Sequence, residues 1–397
     1  MESVPPVTPA QSRGTYLSMG TPNDLGALHG LAIKRGRLLA YRLFDLGLEV
    51  NLEEAERLLA HQPGKVRAQL RREGGAAVSF SSPPLEVPLG QRNLVLSKLG
   101  RSLEVEAIAH LYDHGAAAIL YEVPIIPLTT LADLVPLCDE VYDSTDLDQA
   151  ARTEAEALLG VIKGAVKESG VWKGIETFTI VYVEELDRPV SAQALRGAPD
   201  LARLLVGESS KKALAQEQRE DVLRHALSYF DDDLVVIDWN SAFVLEPSGS
   251  RDIPMLLEVA NAQLLELRYY DDLMDRELGL IYDRFEAVRD QWSTVLRSPY
   301  DELAREVLKR WIGLTEFTER VDNAVKVVGD FYLARVYRAA VTRFQIPAWQ
   351  RSVDQKLALI AQVYGLLKDE LHSRRSLILE VIVVFLIAFE IVMAFFH

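Results

Sequence analysis

The chain has 397 residues, of which 49% are hydrophobic and 25% charged, and its net charge at pH 7 is −15. This composition excludes an intrinsically disordered chain, because it supplies enough apolar surface to bury a core. Residues 1–101 carry 13 Lys and Arg against 9 Asp and Glu, so the remainder holds a net charge of −19. An acidic remainder disfavours broad binding to nucleic acid phosphates there. The single cysteine, Cys138, excludes an internal disulfide and a thiolate metal cluster.

Strand and helix patterns alternate along residues 31–250, after a Pro-, Gly- and Ser-rich segment 1–30 that is predicted to be flexible. This alternation predicts an α+β domain with one modest sheet and interleaved helices. Strands are predicted from β-branched and apolar runs at 38–48, 76–81, 85–89, 95–99, 116–123, 176–184 and 234–245, the last in two pieces about Asn240. Helices are predicted from caps and apolar spacing at 51–61, 104–113, 130–141, 147–168 and 211–230.

After Arg251 the chain shows no strand pattern. Apolar residues step by three and four from Leu257 to Val295, which is typical of a coiled coil or a helix bundle. A second helix is predicted at 301–345, and a third seam from Val353 continues to the end of the chain. Residues 251–375 are therefore predicted to form a long-helix bundle or coiled-coil stalk.

Residues 377–396 are apolar except for Glu380 and Glu390. Twenty helical residues span about 30 Å, the thickness of a bilayer's hydrocarbon core. We therefore predict that 376–397 form one C-terminal transmembrane helix, with the lipid bilayer as a partner. Three basic residues between 368 and 375 place the N-terminal body in the cytoplasm, at the plasma membrane, by the positive-inside bias. The alternative is a buried core helix.

The two glutamates of this segment lie about 80° apart on a helix, on roughly one side. A charge at the bilayer centre costs roughly 2.5–3.5 kcal/mol on insertion scales. Self-association of the tail would let Glu390 form a hydrogen bond between helices, which predicts a homo-oligomer. The alternative is a lone anchor that tolerates the cost.

Signatures of phosphate loops, dinucleotide-binding turns, zinc proteases and serine hydrolases are missing from the sequence. We therefore expect no cofactor, no bound metal and no catalytic residue of a known kind. His110 and His114 are four residues apart and would share one face of a helix, as metal-binding pairs do. Without a third nearby ligand, a structural pair with satisfied hydrogen bonds is the favoured interpretation.

Asp238, Trp239 and Asn240 end a strand that is predicted to be buried. Polar residues at a strand end can be catalytic, as in open α/β sheets. The interpretation that we favour is a turn, with Trp239 filling the core.

Asp271 lies on an otherwise apolar helical seam. A buried carboxylate is costly unless it is paired, and Arg268 or Tyr270 is the predicted partner. Asp271 is either part of a catalytic or ligand site or, as we favour, a polar residue that sets the register of a helical assembly.

Three segments, 257–286, 233–247 and 376–392, resemble the required-for-meiotic-nuclear-division family. In the last segment Leu379, Glu380 and Glu390 match the family's tail, while Val381 stands where tryptophan is usual. The resemblance covers about residues 100–395. It implies an α/β domain followed by a membrane-anchored helical end. Mitochondrial members face the matrix, form homo-oligomers and support translation, and the resemblance supplies no catalytic residues.

From these features we predict a membrane-anchored oligomeric scaffold or interaction protein, whose partner is a cytoplasmic protein or the ribosome. One alternative is an enzyme that uses the Asp238 and Asp271 carboxylates with a divalent metal. Another is a module that binds RNA or the ribosome through the mildly basic stretch 34–72.

Overall fold

The computed structural model describes residues 30–60, 69–70, 78–80, 82–210, 212–289, 305, 307–308, 325–327 and 331–395. The chain divides into two compact units, residues 1–265 with 325–344 and residues 266–324 with 345–397. The segment predicted to be flexible, 1–30, lies almost wholly outside the described residues. Most of the predicted second helix up to residue 330 lies outside them as well.

The described secondary structure alternates strands and helices up to residue 245 and is then mainly helical. The strands are β1 (Ala32–Asp45), β2 (Glu49–Val50), β3 (Gln69–Leu70), β4 (Val78–Phe80), β5 (Leu85–Leu96), β6 (Arg101–Leu111), β7 (Ala116–Pro124), β8 (Thr129–Thr130), β9 (Val166–Lys167), β10 (Glu176–Leu186), β11 (Ala226–Leu227), β12 (Leu234–Ile237), β13 (Ser241–Leu245) and β14 (Val325–Val327). The helices are α1 (Leu52–Ala60), α2 (Leu131–Tyr142), α3 (Thr145–Ile162), α4 (Ala192–Arg196), α5 (Pro199–Val206), α6 (Gln216–Val222), α7 (Asp252–Arg289), α8 (Phe331–Arg343) and α9 (Ile346–Phe395).

Ten of these strands form one sheet in the order β11-β12-β13-β10-β1-β7-β6-β5-β3, with β8 paired beside β1. The central strand β1 pairs antiparallel with β7 and with β10, and β10 pairs parallel with β13. The α+β class agrees with the prediction, but the prediction of one modest sheet is wrong. The sheet is larger because its central strand joins partners that lie far apart in the sequence, which no local pattern reveals.

Two predicted helices are wrong for identifiable reasons. Residues 104–113 belong largely to β6, in which every second residue from Leu103 to Leu111 is apolar, the period of a strand. The predicted helix 211–230 contains only the short α6 and then β11. There the carboxylate of Asp233 accepts hydrogen bonds from the backbone N–H groups of Tyr229 and Phe230, which favours a turn over a helix.

Helix starts were predicted more successfully than helix ends. Asn51 accepts a hydrogen bond from the N–H of Glu54, and Thr130 accepts one from Asp133, as expected of N-cap residues.

The strand pair at 234–245 divides at the predicted place. The expectation of no strand after Arg251 is wrong, because β14 pairs with β4 in a separate two-stranded sheet.

Both faces of the large sheet are covered. One face carries Arg42, which is fully buried and donates to Asp148 of α3 at 2.5 Å and to the carbonyl oxygen of Val141 at 2.7 Å. The other face is covered by the start of α7 and by the end of α8, where the Phe344 and Phe178 rings pack with centroids 5.3 Å apart. Unit 1 therefore has three layers, with the candidate site described below on the α7 side.

In the second unit, α9 and the later part of α7 run parallel. The Arg268 guanidinium lies over the Trp349 ring, the Ser352 hydroxyl donates to Asp271, and Lys356 lies 2.7 Å from Asp275. Each of these contacts joins residues 81 positions apart, so the two helices advance in the same direction and in register. Apolar residues of α7 and α9 are buried along the two helices: Met274, Leu278, Ile281, Val353 and Ile360.

Helix α9 runs without a break from Ile346 to Phe395, as the continuous third seam predicts. Among the described residues, no helix carries an apolar stretch that could cross a membrane. The predicted transmembrane helix at 376–397 is therefore wrong, as is the predicted single-pass location in the plasma membrane. Glu380 and Glu390 are both exposed on this part of α9, and placing their charges inside a bilayer would be costly.

The buried carboxyl group of Asp45 predicts a stability that falls with pH. Burial raises the pKa of Asp45 to about 8, although a backbone hydrogen bond at Gly47 opposes the shift. The folded state therefore holds a proton that the unfolded chain loses near pH 4. The protonated Asp45 carboxyl group stabilises the fold fully below about pH 4. Above that pH the free energy of unfolding falls by about 1.4 kcal/mol per pH unit, until Asp45 also loses its proton in the folded state.

Urea unfolding between pH 5 and 9 measures this dependence. We expect Asp45→Asn to flatten it and to be more stable than the parent chain at pH 8 and above. The exposed Asp354 serves as the control, and Asp354→Asn should leave the slope unchanged. An unchanged slope in Asp45→Asn would refute the assignment.

The ion pairs of the second unit predict a coupled loss of stability. Lys356 lies 2.8 Å from Asp271, and both side chains are only 18% exposed. Burial opposes the charge of Lys356, but its bonds to Asp271 and Asp275 outweigh this and raise its pKa. Asp271→Leu alone should cost about 1–3 kcal/mol, because Lys356 loses its buried partner.

The double variant Asp271→Leu/Lys356→Leu should recover most of that loss, since an apolar pair can replace a buried ion pair. Chemical unfolding of the single and double variants measures the difference. Asp272→Ala is the control, because its pair with Arg276 is more exposed and should contribute at most about 0.5 kcal/mol. Additive losses in the double variant would contradict the coupling.

Candidate functional site

A cavity of about 90 Å³ lies between the first two turns of α7 and the sheet. At about 30 Å³ per water molecule, it has room for roughly three waters or a ligand of similar size. The lining residues come from β1, β5, β6 and β7, from α7 and from the residue before α7: Tyr41, Glu86, Ile108, His110, Leu120, Glu122, Arg251, Pro254, Met255 and Glu258. Carboxylates, an imidazole and a guanidinium therefore converge on one small space.

The inner end of the cavity is built around Glu258. Its Oε1 atom lies 2.6 Å from Nδ1 of His110 and accepts a hydrogen bond of 2.7 Å from the Tyr112 hydroxyl. Glu258 is 2% and His110 4% exposed, so this is a buried polar cluster. The second ring nitrogen of His110, Nε2, lies 3.8 Å from Oε2 of Glu86.

Strand register explains why Glu86 and His110 meet. They are directly paired residues of β5 and β6, so both side chains lie on the same face of the sheet. The alternate residues of β6, such as Ala107 and Ala109, belong to the core on the opposite face. Glu258 reaches His110 because residues 253–262 of α7 are buried and lie against this face.

The outer end of the cavity carries Arg251 and Glu86, whose side chains are 29% and 30% exposed. Arg251 donates to Glu122 at 3.1 Å and lies over the Tyr182 ring at 4.8 Å. Burial raises the pKa of Tyr182 to about 12, although Arg251 opposes the shift. Arg37 also donates to Glu122, at 2.7 Å, so two cations balance this carboxylate.

The hydrogen bonds determine the chemistry that His110 can perform. The Nδ1 atom of His110 faces the Glu258 carboxylate and its Nε2 atom faces Glu86, so the ring lies between two acidic side chains. None of the described residues that line the cavity is a Ser, Thr or Cys, so the arrangement suits proton transfer or cation binding better than covalent catalysis.

Asp238 is paired with a cation instead of lining an open pocket. It is buried and accepts from Nε of Arg343 at 3.0 Å, and Arg343 also donates to Asp221 at 2.8 Å. Burial opposes the charge of Arg343, but these bonds outweigh it and raise its pKa. The carboxylate of Asp238, the first of the two candidate catalytic acids, is thus paired with Arg343.

The residues after Asp238 form the turn between β12 and β13. The N–H of Asp238 donates to the carbonyl oxygen of Ser241, and the carbonyl oxygen of Asn240 accepts from Thr179. Trp239 is 44% exposed, so the prediction that it fills the core is wrong. Because Trp239 lies in a surface turn, its side chain does not follow the alternation of inward-facing and outward-facing residues in a strand.

Ser352 and Lys356 reach the carboxylate of Asp271, and the guanidinium of Arg268 lies over the Trp349 ring. Tyr270 is buried. Asp271 and Asp238 belong to different units, and each has a cation of its own. Within the described part of the chain, no group of three His, Cys, Asp or Glu side chains could hold a metal ion.

The basic stretch proposed for RNA is largely paired with acids where it is described. Lys34 lies 2.5 Å from Glu185 and Arg35 lies 2.6 Å from Glu184. Residues 61–68 and 71–77 of the stretch are outside the described residues. His114 lies in the turn after β6, 3.4 Å from Asp113, so it does not share a helix face with His110.

Sequence reasoning missed Glu86, Arg251 and Glu258. A signal for Glu258 was present, because it is an acid within a run of apolar residues at the start of α7. Such a residue predicts a buried partner, but only the tertiary structure identifies His110 and Tyr112.

Removal of the Glu258 carboxylate should destabilise the first unit. Glu258→Ala leaves two buried donors without their acceptor, at a cost of about 1–3 kcal/mol each. Glu258→Gln keeps an acceptor and should cost less. Thermal unfolding of both variants measures the difference, with Glu104→Ala on the exposed end of β6 as the control. Equal losses in all three variants would contradict the role of Glu258.

Comparison with known proteins identifies one family. A family model described as the N-terminal domain of the uncharacterized protein MJ0711 matches residues 35–251. The uncharacterized protein MJ0711 of Methanocaldococcus jannaschii is 22% identical over 231 residues, which cover 58% of this chain and 69% of the relative. No solved structure gives a significant match.

The matched residues contain Glu86, His110, Glu122 and Arg251 but end before Glu258. The resemblance to the required-for-meiotic-nuclear-division family is wrong, because the sequence comparisons identify a different family. Its short segments are mostly apolar helix and strand patterns, which unrelated chains share for reasons of packing. Since the family model matches more than half of the chain, the protein belongs to the family of the MJ0711 N-terminal domain.

Proposed function

We propose that the protein binds a small organic cation with N–H groups, such as a primary ammonium, in the cavity between α7 and the sheet. The observation that carries this proposal is the concentration of carboxylates in the cavity, where Glu86, Glu122 and Glu258 are among the lining residues and His110 lies between Glu258 and Glu86. Carboxylate oxygens accept hydrogen bonds from N–H groups and attract positive charge.

The charges of the lining residues favour a cation. Three glutamates, Glu86, Glu122 and Glu258, are opposed among the lining residues by Arg251, which gives a net charge of −2 when His110 is neutral. The exposed side chains of Glu86 and Arg251 provide the entrance, and Glu258 lies at the closed end. A cation that enters the cavity replaces water. Because the carboxylates are already held in position, the protein needs little reorganisation to bind it.

The other predicted functions have less support. The apolar residues that α7 and α9 bury within one chain are not free to assemble two chains, so oligomerisation by that seam stays a prediction. A carboxylate enzyme would need Asp238 and Asp271 to leave their cations. A role at the ribosome or with RNA also stays a prediction, as does a role as a scaffold.

Titration with methylammonium chloride, followed by calorimetry and by the NMR signal of the His110 ring, tests the proposal. We expect saturable binding at pH 7.5 and no binding of tetramethylammonium, which lacks N–H groups. Glu86→Gln should weaken binding at least tenfold, since it removes one acceptor charge at the entrance.

Glu104→Gln is the matched control, because Glu104 is an exposed acid on β6 and does not line the cavity. The affinity of the Glu104→Gln variant for methylammonium should stay within twofold of that of the parent chain. Binding that survives Glu86→Gln, or equal binding of tetramethylammonium, would overturn the proposal.

A further inference from the structure

An exposed aromatic pair lies on the loop between β11 and β12. Tyr229 and Phe230 are each 64% exposed, and their rings pack edge to face with centroids 4.6 Å apart. Large aromatic side chains are costly to leave in water, and exposed apolar groups side by side are typical of interaction sites. Folding of the sheet does not explain why two such rings point outward.

The loop that carries this pair is held rigidly. Both carboxylate oxygens of the buried Asp233 accept backbone hydrogen bonds, from Tyr229 at 2.8 Å and from Phe230 at 2.9 Å. The carbonyl oxygen of Asp231 accepts from the N–H of Ala192 at 2.7 Å. The ring of Tyr332 also packs against the ring of Tyr229, with centroids 5.4 Å apart.

Rigidity matters because a binding surface that is already ordered loses little conformational entropy when a partner arrives. Tyrosine and phenylalanine also present large contact areas with few rotatable bonds. A rigid exposed pair is therefore better suited to binding than a flexible loop of the same composition.

Two acidic residues directly follow the pair in the sequence: Asp231 is exposed and Asp232 is half-buried. Negative charge near aromatic rings attracts the guanidinium of Arg, which gains from ion pairing and from the cation–π interaction together. An acidic or a purely apolar partner would lose one of these contributions.

From this placement we infer that Tyr229, Phe230, Asp231 and Asp232 form a docking surface, here called the aromatic–acidic surface, for an Arg-containing basic segment of another protein. Charge complementarity and the two rings select this occupant. The surface is separate from the α7 cavity, so it can bind whether or not a small cation occupies that site.

Fluorescence anisotropy with a labelled peptide of alternating Arg and Gly residues tests the inference on the full chain. We expect saturable binding that Phe230→Ser weakens at least tenfold. Phe230→Ser leaves the Tyr229–Tyr332 contact in place, and its circular dichroism and melting temperature would show that the fold is retained. A peptide with Glu in place of Arg should not bind.

The net charge of −15 could attract any basic peptide, so a control of equal charge is needed. Asp231→Asn/Asp232→Asn should weaken binding severalfold and reduce its dependence on salt. Glu217→Gln/Glu220→Gln removes two exposed charges from α6 and should change affinity less than twofold. Equal effects of the two double variants, or binding unaffected by Phe230→Ser, would overturn the inference.

Discussion

The carboxylate of Glu258 connects helix α7 to the large sheet, and the candidate site depends on this connection. One oxygen meets both His110 and Tyr112, and the three side chains lie where almost no solvent reaches. In such surroundings an unpaired carboxylate would be expensive, so the three groups hold one another in place. The same contacts orient the ring of His110, whose second nitrogen lies on the side of Glu86.

Acidic side chains in this protein have different roles according to where their cations lie. Asp238 and Asp271 are neutralised by Arg343 and Lys356, which makes them parts of packed contacts. Glu258 is instead bound to the side chains of His110 and Tyr112 at the inner end of the cavity. Asp231 and Asp232 lie at the surface beside two exposed rings. The excess of acid in the composition thus reflects several separate local arrangements.

Sequence patterns predicted those parts of the fold that depend on near neighbours. The helix starts near Asn51 and Thr130, the strands at 116–123 and 176–184, and the long helical segments after Arg251 follow from local hydrogen bonding and apolar spacing. They failed where two local patterns compete, as in β6, whose apolar residues fit a strand better than the helix assigned to it. They also failed for the tail at 376–397, where an apolar count outweighed the two glutamates.

By itself, the sequence determined the α+β class, the long helices and the need of Asp271 for a partner, because these depend on spacing and on the cost of burying charge. Only the tertiary structure decided which partner each charge finds. Lys356 reaches Asp271 because α7 and α9 run parallel, and Glu258 reaches His110 because α7 crosses the sheet. Such pairings depend on contacts between residues far apart in the chain, which no local pattern encodes.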